Sequence, residues 1–248
     1  MSAVRNDEKP KFRIPTIVSL LAVCAALVIG ISVFFKVSVI EVSGASRYTD
    51  EELIKASGIK EGRNLIFLDG DKVSSDICSE LVYVSDVKIE KKFPNKILIV
   101  IEGSEEVAVV ETEDGIKIID SKCRVLEDAG LKDVSGYISV KGLMAMKTEL
   151  GEELLSLEED KAKIKYLKEI LTAMEEQDML SHVKEIDLTN PGNAKFDYLG
   201  RFTVKLGNNK DTGIKLSRLK SAIELLDENE TGSFDLSKDK KAGFIPEA

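Results

Sequence analysis

Val84–Glu102 reads VSDVKIEKKFPNKILIVIE, and the rest of the chain falls into place around it. Val87 and Ile89 recur at period two, as do Ile97, Ile99 and Ile101. That is the pattern of strands with one buried face, and it predicts strands over 84–90 and 97–101. Lys92-Phe93-Pro94-Asn95-Lys96 lies between them, and Pro94 presets φ for a turn. The stretch is therefore a hairpin whose second strand closes on Glu102.

Upstream of it the pattern turns helical. Val73, Ile77 and Leu81 stand at i+4 spacing behind Asp69 or Asp71, either of which could start a helix. Before that comes Thr49-Asp50-Glu51-Glu52, a capping box in which Thr49 caps the helix and Glu52 reaches back. Leu53, Ile54 and Ser57 define that helix's inner face, and Gly58 supplies its stop. Val37, Val39, Ile40 and Val42 make a strand ended by Ser43-Gly44. Residues 36–104 thus form one unit with the order β-α-α-β-β.

Further upstream, residues 16–35 read TIVSLLAVCAALVIGISVFF, without a charge or a proline. Such a helix reaches roughly 30 Å, the hydrocarbon thickness of a bilayer. Arg5, Lys9, Lys11 and Arg13 precede it, whereas Lys36 stands alone on the far side before Glu41, Asp50, Glu51 and Glu52. Basic flanks stay in the cytoplasm, so residues 1–15 are expected inside, disordered, and everything from Lys36 onward outside. The run is too long for a cleaved signal peptide, and Val33-Phe34-Phe35 is a poor cleavage end. Leu21-Ala22-Val23-Cys24 does not make a lipoprotein box, because Val23 is bulky and the apolar run continues past Cys24. Ala22, Ala26 and Gly30 form a small-residue stripe that could seat a partner helix in the membrane, although membrane helices are rich in small residues anyway.

Downstream, residues 105–248 make a second domain. Val107–Val110 and Ile116–Ile119 flank Glu113-Asp114-Gly115, a type I′ hairpin signal. Asp120-Ser121-Lys122-Cys123-Arg124-Val125 is a second turn leading into a strand. Ile164, Leu167, Ile170, Leu171 and Met174 mark an amphipathic helix within 157–179; Leu216, Leu219, Ile223 and Leu226 mark another. Val183–Leu188 and Phe202–Leu206 are strands, separated by the turn signal Asn190-Pro191-Gly192-Asn193. Gly232–Leu236 is a late strand, followed by Gly243-Phe244-Ile245-Pro246.

Chemistry is sparse. With 35 basic and 44 acidic residues the net charge is −9, which argues against a nucleic-acid or anionic-lipid surface. His182, the single histidine, sits between a helix and a strand, where a solvated loop residue is expected. No G-x-S-x-G elbow, P-loop, G-x-G-x-x-G or clustered zinc ligands occur. Acidic pairs are plentiful, but no spacing singles one out as a hydrolase site. Asn229-Glu230-Thr231 matches a glycosylation sequon, which the resemblance to a bacterial family given below makes a chance match. Cys24, Cys78 and Cys123 are too few and too scattered for a disulfide framework, so they are expected unpaired.

The order β-α-α-β-β, with Tyr83-Val84, Val87, Lys91, Phe93-Pro94, Ile97 and Ile99-Val100-Ile101-Glu102 at their places, resembles a POTRA domain. Directly after a single membrane anchor it resembles the FtsQ/DivIB family of bacterial cell-division proteins. The chain departs at Val82, where the family often has Pro, at Gly103, where it often has a basic residue, and at Cys123, where it usually has Gly. The resemblance implies an α+β protein with a single N-terminal transmembrane helix, a POTRA domain and a mixed β-domain with amphipathic helices. It also implies a non-enzymatic scaffold without cofactors, sited at the division septum. Its partners would be FtsL and FtsB/DivIC-type membrane proteins, with the septal wall synthase complex beyond them. A POTRA secretion protein would need a membrane β-barrel, which the charged helices forbid. An anchored wall hydrolase is the other alternative, and a peptidoglycan assay would detect it.

The partner site is expected at the chain's end. Phe234, Asp235 and Leu236 belong to the final strand, whose outer edge is expected free. Lys238 and Lys240 would guard that edge and steer an acidic strand to it. The family's segment with an aromatic after Gly and a Pro two later helps receive a partner strand; here it is Gly243, Phe244 and Ile245, with Phe244 expected as anchor. Alternatively, Phe244 and Ile245 merely cover the end of the β-domain.

Overall fold

The computed structural model describes residues 14–238 and 243–247; the basic residues of the N-terminal tail and Lys240 lie outside them. The first element is α1 (Ile14–Phe34), a helix of 21 residues. From Ile17 to Phe34 none of its residues is buried. A helix apolar on every side yet uncovered by its own protein is long and apolar enough to cross a membrane.

The chain divides into two compact units. Most of the first is built from β1 (Val39–Ala45), α2 (Asp50–Ala56), α3 (Gly70–Glu80), β2 (Val84–Lys92) and β3 (Lys96–Gly103) in order, while Cys78–Asp86, at the end of α3 and the start of β2, and the residues from Glu102 onward group with the second. The three strands form one sheet in the order β1-β3-β2, so the closing strand of the hairpin is central. The capping box forms: the Glu52 amide donates to Thr49 Oγ1 at 3.4 Å and the Thr49 amide to Glu52 Oε2 at 2.8 Å. Asp69, not Asp71, caps α3, accepting from the Lys72 amide at 3.2 Å. Leu53, Val73, Ile77, Ile97, Ile99 and Ile101 are buried. Ala56 is buried on α2 where Ile54 was expected, and Ile54 is only half-buried. The strand begins later than its valine run suggests, because the Val37 amide is taken by the Arg63 carbonyl at 2.9 Å. Gly44 has φ 115°, and a Cβ there would stand 1.9 Å from the Ile101 carbonyl oxygen. Only glycine lets β1 pass β3 so closely.

The second unit carries β4 (Ala108–Thr112), β5 (Gly115–Ile119), β6 (Val125–Asp128), β7 (Ile138–Ala145), α4 (Lys161–Glu175), β8 (Val183–Asp187), β9 (Ala194–Tyr198), β10 (Phe202–Gly207), α5 (Thr212–Ile223), β11 (Gly232–Asp235) and β12 (Gly243–Pro246). Nine strands make one sheet in the order β12-β11-β10-β9-β8-β7-β4-β5-β6. β7 lies parallel to β8, and β10 parallel to β11. Parallel neighbours need a crossover, and α4 and α5 are those crossovers. Ile164, Leu167, Ile170, Leu171 and Met174 of α4 and Leu216 and Leu219 of α5 share one core with the strands. The Tyr166 hydroxyl fixes α4 to the end of β10, reaching the carbonyls of Gly207 at 3.0 Å and Asn208 at 2.8 Å.

Three expectations change here. β7 and β9 are strands that the pattern reading left out. Glu113 and Asp114 do not have positive φ, so the β4–β5 turn is not type I′; Gly115, at 130°, takes the unusual angle instead. The paired positive φ values of that turn type occur at Leu199 and Gly200, between β9 and β10.

Cys123 sits at φ 61° and is fully buried in the core. Its amide donates to the Asp120 carbonyl at 3.0 Å, while Asp120 Oδ1 accepts from the amides of Lys122 and Arg124. The turn is thus the one that suits glycine, built with a side chain that costs about 1–2 kcal/mol of backbone strain. Burial pushes the thiol pKa well up, so the group stays a protonated, inert core side chain. Cys123→Gly should therefore unfold in urea no earlier than Cys123→Ala, although glycine fills less of the core. An alanine variant clearly more stable than the glycine variant would show that φ is not what the position selects.

Candidate partner-binding edge

A sheet of nine strands ends in two edges. At one end, the start of β6 is met by its own chain. The Val125 amide donates to the Glu152 carbonyl at 2.9 Å, the Gly151 amide to Val125 at 2.7 Å and the Leu154 amide to Cys123 at 2.9 Å. At the other end lies β12, which pairs antiparallel with β11 and, among the described residues, with no strand beyond it.

This corrects the expected edge. β11 is filled on both sides, by β10 and by β12, so Phe234 and Asp235 present no free edge. Phe234 and Leu236 are buried core residues. Asp235 is engaged in the turn after β11, where its carboxylate accepts from the Ser237 amide at 3.0 Å and from the Ser237 hydroxyl. Those bonds, and then Lys238 and Lys205, hold its pKa below the usual carboxylate range. Lys238 is exposed just beyond. Gly232 is needed for the close fit, since a Cβ there would stand 2.3 Å from the Ile245 carbonyl oxygen.

Along β12 the side chains divide. Phe244 faces Phe234 directly in register, with ring centroids 4.9 Å apart, and lies 6.2 Å from Phe202. It is half-buried against the core. Gly243 is exposed, and Ile245, opposite Ser233, is 63% exposed. The sequence missed that these residues form a strand; an aromatic–aliphatic pair between Gly and Pro was the available signal.

The remaining residues singled out earlier are spread elsewhere. Phe93 and Pro94 are exposed in the β2–β3 turn. Glu102, at the end of β3, accepts from Lys122 Nζ at 2.8 Å, and its side chain is 62% exposed. Such a pair contributes little to stability. Ala22, Ala26 and Gly30 lie exposed on α1, and Gly30 has open space around it. His182 is exposed, with its ring edge-on to Tyr198 at 5.9 Å. The three cysteines are free. Among the described residues no cluster of three His, Cys, Asp or Glu side chains could hold a metal.

An N-terminal helix long and apolar enough to cross a membrane runs into a β-α-α-β-β unit, the arrangement of a POTRA domain, and residues 35–102 match the family described as POTRA domain, FtsQ-type. The chain is 25% identical over 190 residues to the cell division protein DivIB of Clostridium tetani, covering 77% of this chain and 70% of that one. It is 27% identical over 241 residues to DivIB of Clostridium botulinum (strain Hall), covering 96% of this chain and 89% of the relative. The cell division protein FtsQ of Corynebacterium glutamicum is 29% identical over 131 residues, 50% of this chain and 58% of that one. Residues 35–102 are thus an FtsQ-type POTRA domain, and most of the chain is similar to cell division proteins named DivIB and FtsQ.

Proposed function

We propose that this chain is a non-enzymatic, single-pass scaffold of the bacterial division machinery. Its N-terminus is cytoplasmic, and its β-domain, outside at the septum, receives a strand from an FtsL- or FtsB/DivIC-type membrane protein and so helps to control septal wall synthesis. The observation that carries the proposal is β12: among the described residues no strand pairs with its outer edge. An added strand would take its affinity from backbone bonds along β12 and its side-chain contact from Ile245. Lys238 adds positive charge beside that edge, which favours approach by an acidic segment.

Ile245→Asp is the clean test, because Ile245 points away from the core. Binding to the FtsB/DivIC-type partner should weaken by tenfold or more, as for a residue worth about 2 kcal/mol at an interface centre, while the melting temperature holds. Phe244→Ala should lower both, since its ring lies on Phe234 and Phe202. Unchanged partner binding in Ile245→Asp would remove β12 as the site.

A further inference from the structure

The POTRA unit carries large apolar side chains in the open at one place. Phe67 is 81% exposed, Phe93 59% and Ile66 40%. Scattered exposed apolar residues are ordinary, but a cluster that includes two phenylalanines marks a contact surface. All three sit where α1 ends. The Leu65 amide donates to the Phe35 carbonyl at 2.8 Å, and Asn64 Nδ2 reaches the Ser32 carbonyl inside the last helical turn at 3.5 Å. Lys36 and Asn64 form an antiparallel bridge. The hairpin tip is tied to the same point: the Phe35 and Phe93 rings meet edge-on at 5.7 Å, and the Ser38 amide donates to the Asn95 carbonyl at 2.9 Å.

Charge at this point runs against the chain's average. Lys36 and Arg63 are exposed in the paired segments, and Lys91 Nζ holds the Ile66 carbonyl at 3.2 Å. Glu90, the acidic residue nearest the hairpin tip, is already engaged by Lys88 and Lys92 at 2.9 and 2.8 Å. Glu61 and Asp69 are the other carboxylates of the 60–69 loop. Apolar tips among cations fit the boundary between acyl chains and phosphate headgroups. The net charge of −9 conceals this cluster because its members come from three separate stretches of sequence.

We propose that Ile66, Phe67 and Phe93 form a foot by which the POTRA unit rests in the interfacial layer of the bilayer that α1 crosses. The proposal rests on reading α1 as a membrane-spanning helix, and that helix supplies the argument for lipid as occupant. A helix of 21 residues rises about 31 Å, so its end reaches the interface with little length to spare. The loop stitched to its last turn is thereby held at the same depth. The foot would fix the tilt of the POTRA unit over the membrane, where a free linker would let it swing.

The chain contains no tryptophan, so a single introduced one reports its own surroundings. The full-length chain is reconstituted in vesicles of phosphatidylcholine with a minority of phosphatidylglycerol, with or without lipids brominated along the acyl chain. Phe67→Trp should emit blue-shifted from free tryptophan and be quenched most by bromines near the headgroup end. Glu51→Trp, at the start of α2 beyond the far end of β1, should be neither shifted nor quenched. Leu27→Trp, in the middle of α1, should be quenched by the deepest bromines and serves as the control for the anchor. Quenching at Leu27 without quenching at Phe67 overturns the foot and leaves the face open to a protein partner. No quenching at Leu27 would instead overturn the anchor. Phe67 is mostly solvent-exposed, so its replacement does not threaten the fold, and Phe93→Trp gives an independent second reading of the same face.

Discussion

Ile99→Ala should cost the POTRA unit about 2–5 kcal/mol, the range for truncating a fully buried isoleucine. Ile99 is completely buried on β3, the central strand, and Ile97 and Ile101 flank it on the same face. It has no edge toward which the site could relax, since β1 and β2 hold β3 from both sides. Its neighbour Val100 is half-buried on the opposite face, so Val100→Ala should cost about 1 kcal/mol or less. Amide exchange at β3 in the full-length chain measures both. Similar small losses would mean that the strand faces the other way and that the β-α-α-β-β core is wrongly assembled.

The second large effect is expected at Arg124. Its guanidinium donates to the carbonyls of Val82 and Val84, the former at 2.6 Å. Beside it lies Asp120, 2% exposed, which also accepts from the Ser104 hydroxyl at 3.0 Å. Arg124 Nε is 3.9 Å from the Asp120 carboxylate and makes no hydrogen bond of its own, so the pair is held by charge more than by geometry. Arg124→Ala would leave a buried carboxylate without its cation and two carbonyls without donors. A loss of about 3–5 kcal/mol follows, as for other buried pairs broken on one side. Arg124→Lys keeps the charge but not the fork that reaches two carbonyls at once, so it should recover only part of the loss. Full recovery with lysine in a urea titration would show that the forked geometry contributes nothing.

How much of this could be read from the chain follows from where the pattern is local. The hairpin at 84–102, the capping box at Thr49 and the apolar run of α1 each declare themselves within a few residues, and each forms. β9 was hidden by its approach: Ala194, Phe196 and Tyr198 alternate as a strand should, but they follow the strong turn signal of Asn190–Asn193 and span five residues. β7 was hidden by Gly142, which takes φ 78° within the strand and breaks its alternation. The I′ turn escaped because Leu199 adopts positive φ without being Gly, Asn or Asp. The geometry of the chain's end was not legible in the sequence. Phe244 and Ile245 were singled out together, yet only the pairing of β12 with β11 shows that they point to opposite faces. That pairing joins residues separated by a loop, and no local period announces it.

The partner strand is proposed to dock along β12, on the side that no described strand fills. A photo-crosslinking amino acid placed at Ile245 in the full-length chain, in growing cells, reads this out, with the same residue at Glu127 on β6, at the opposite end of the sheet, as the counterpart. Capture of the FtsB/DivIC-type protein is expected from position 245 and none from position 127. Capture from position 127 with none from position 245 would contradict it.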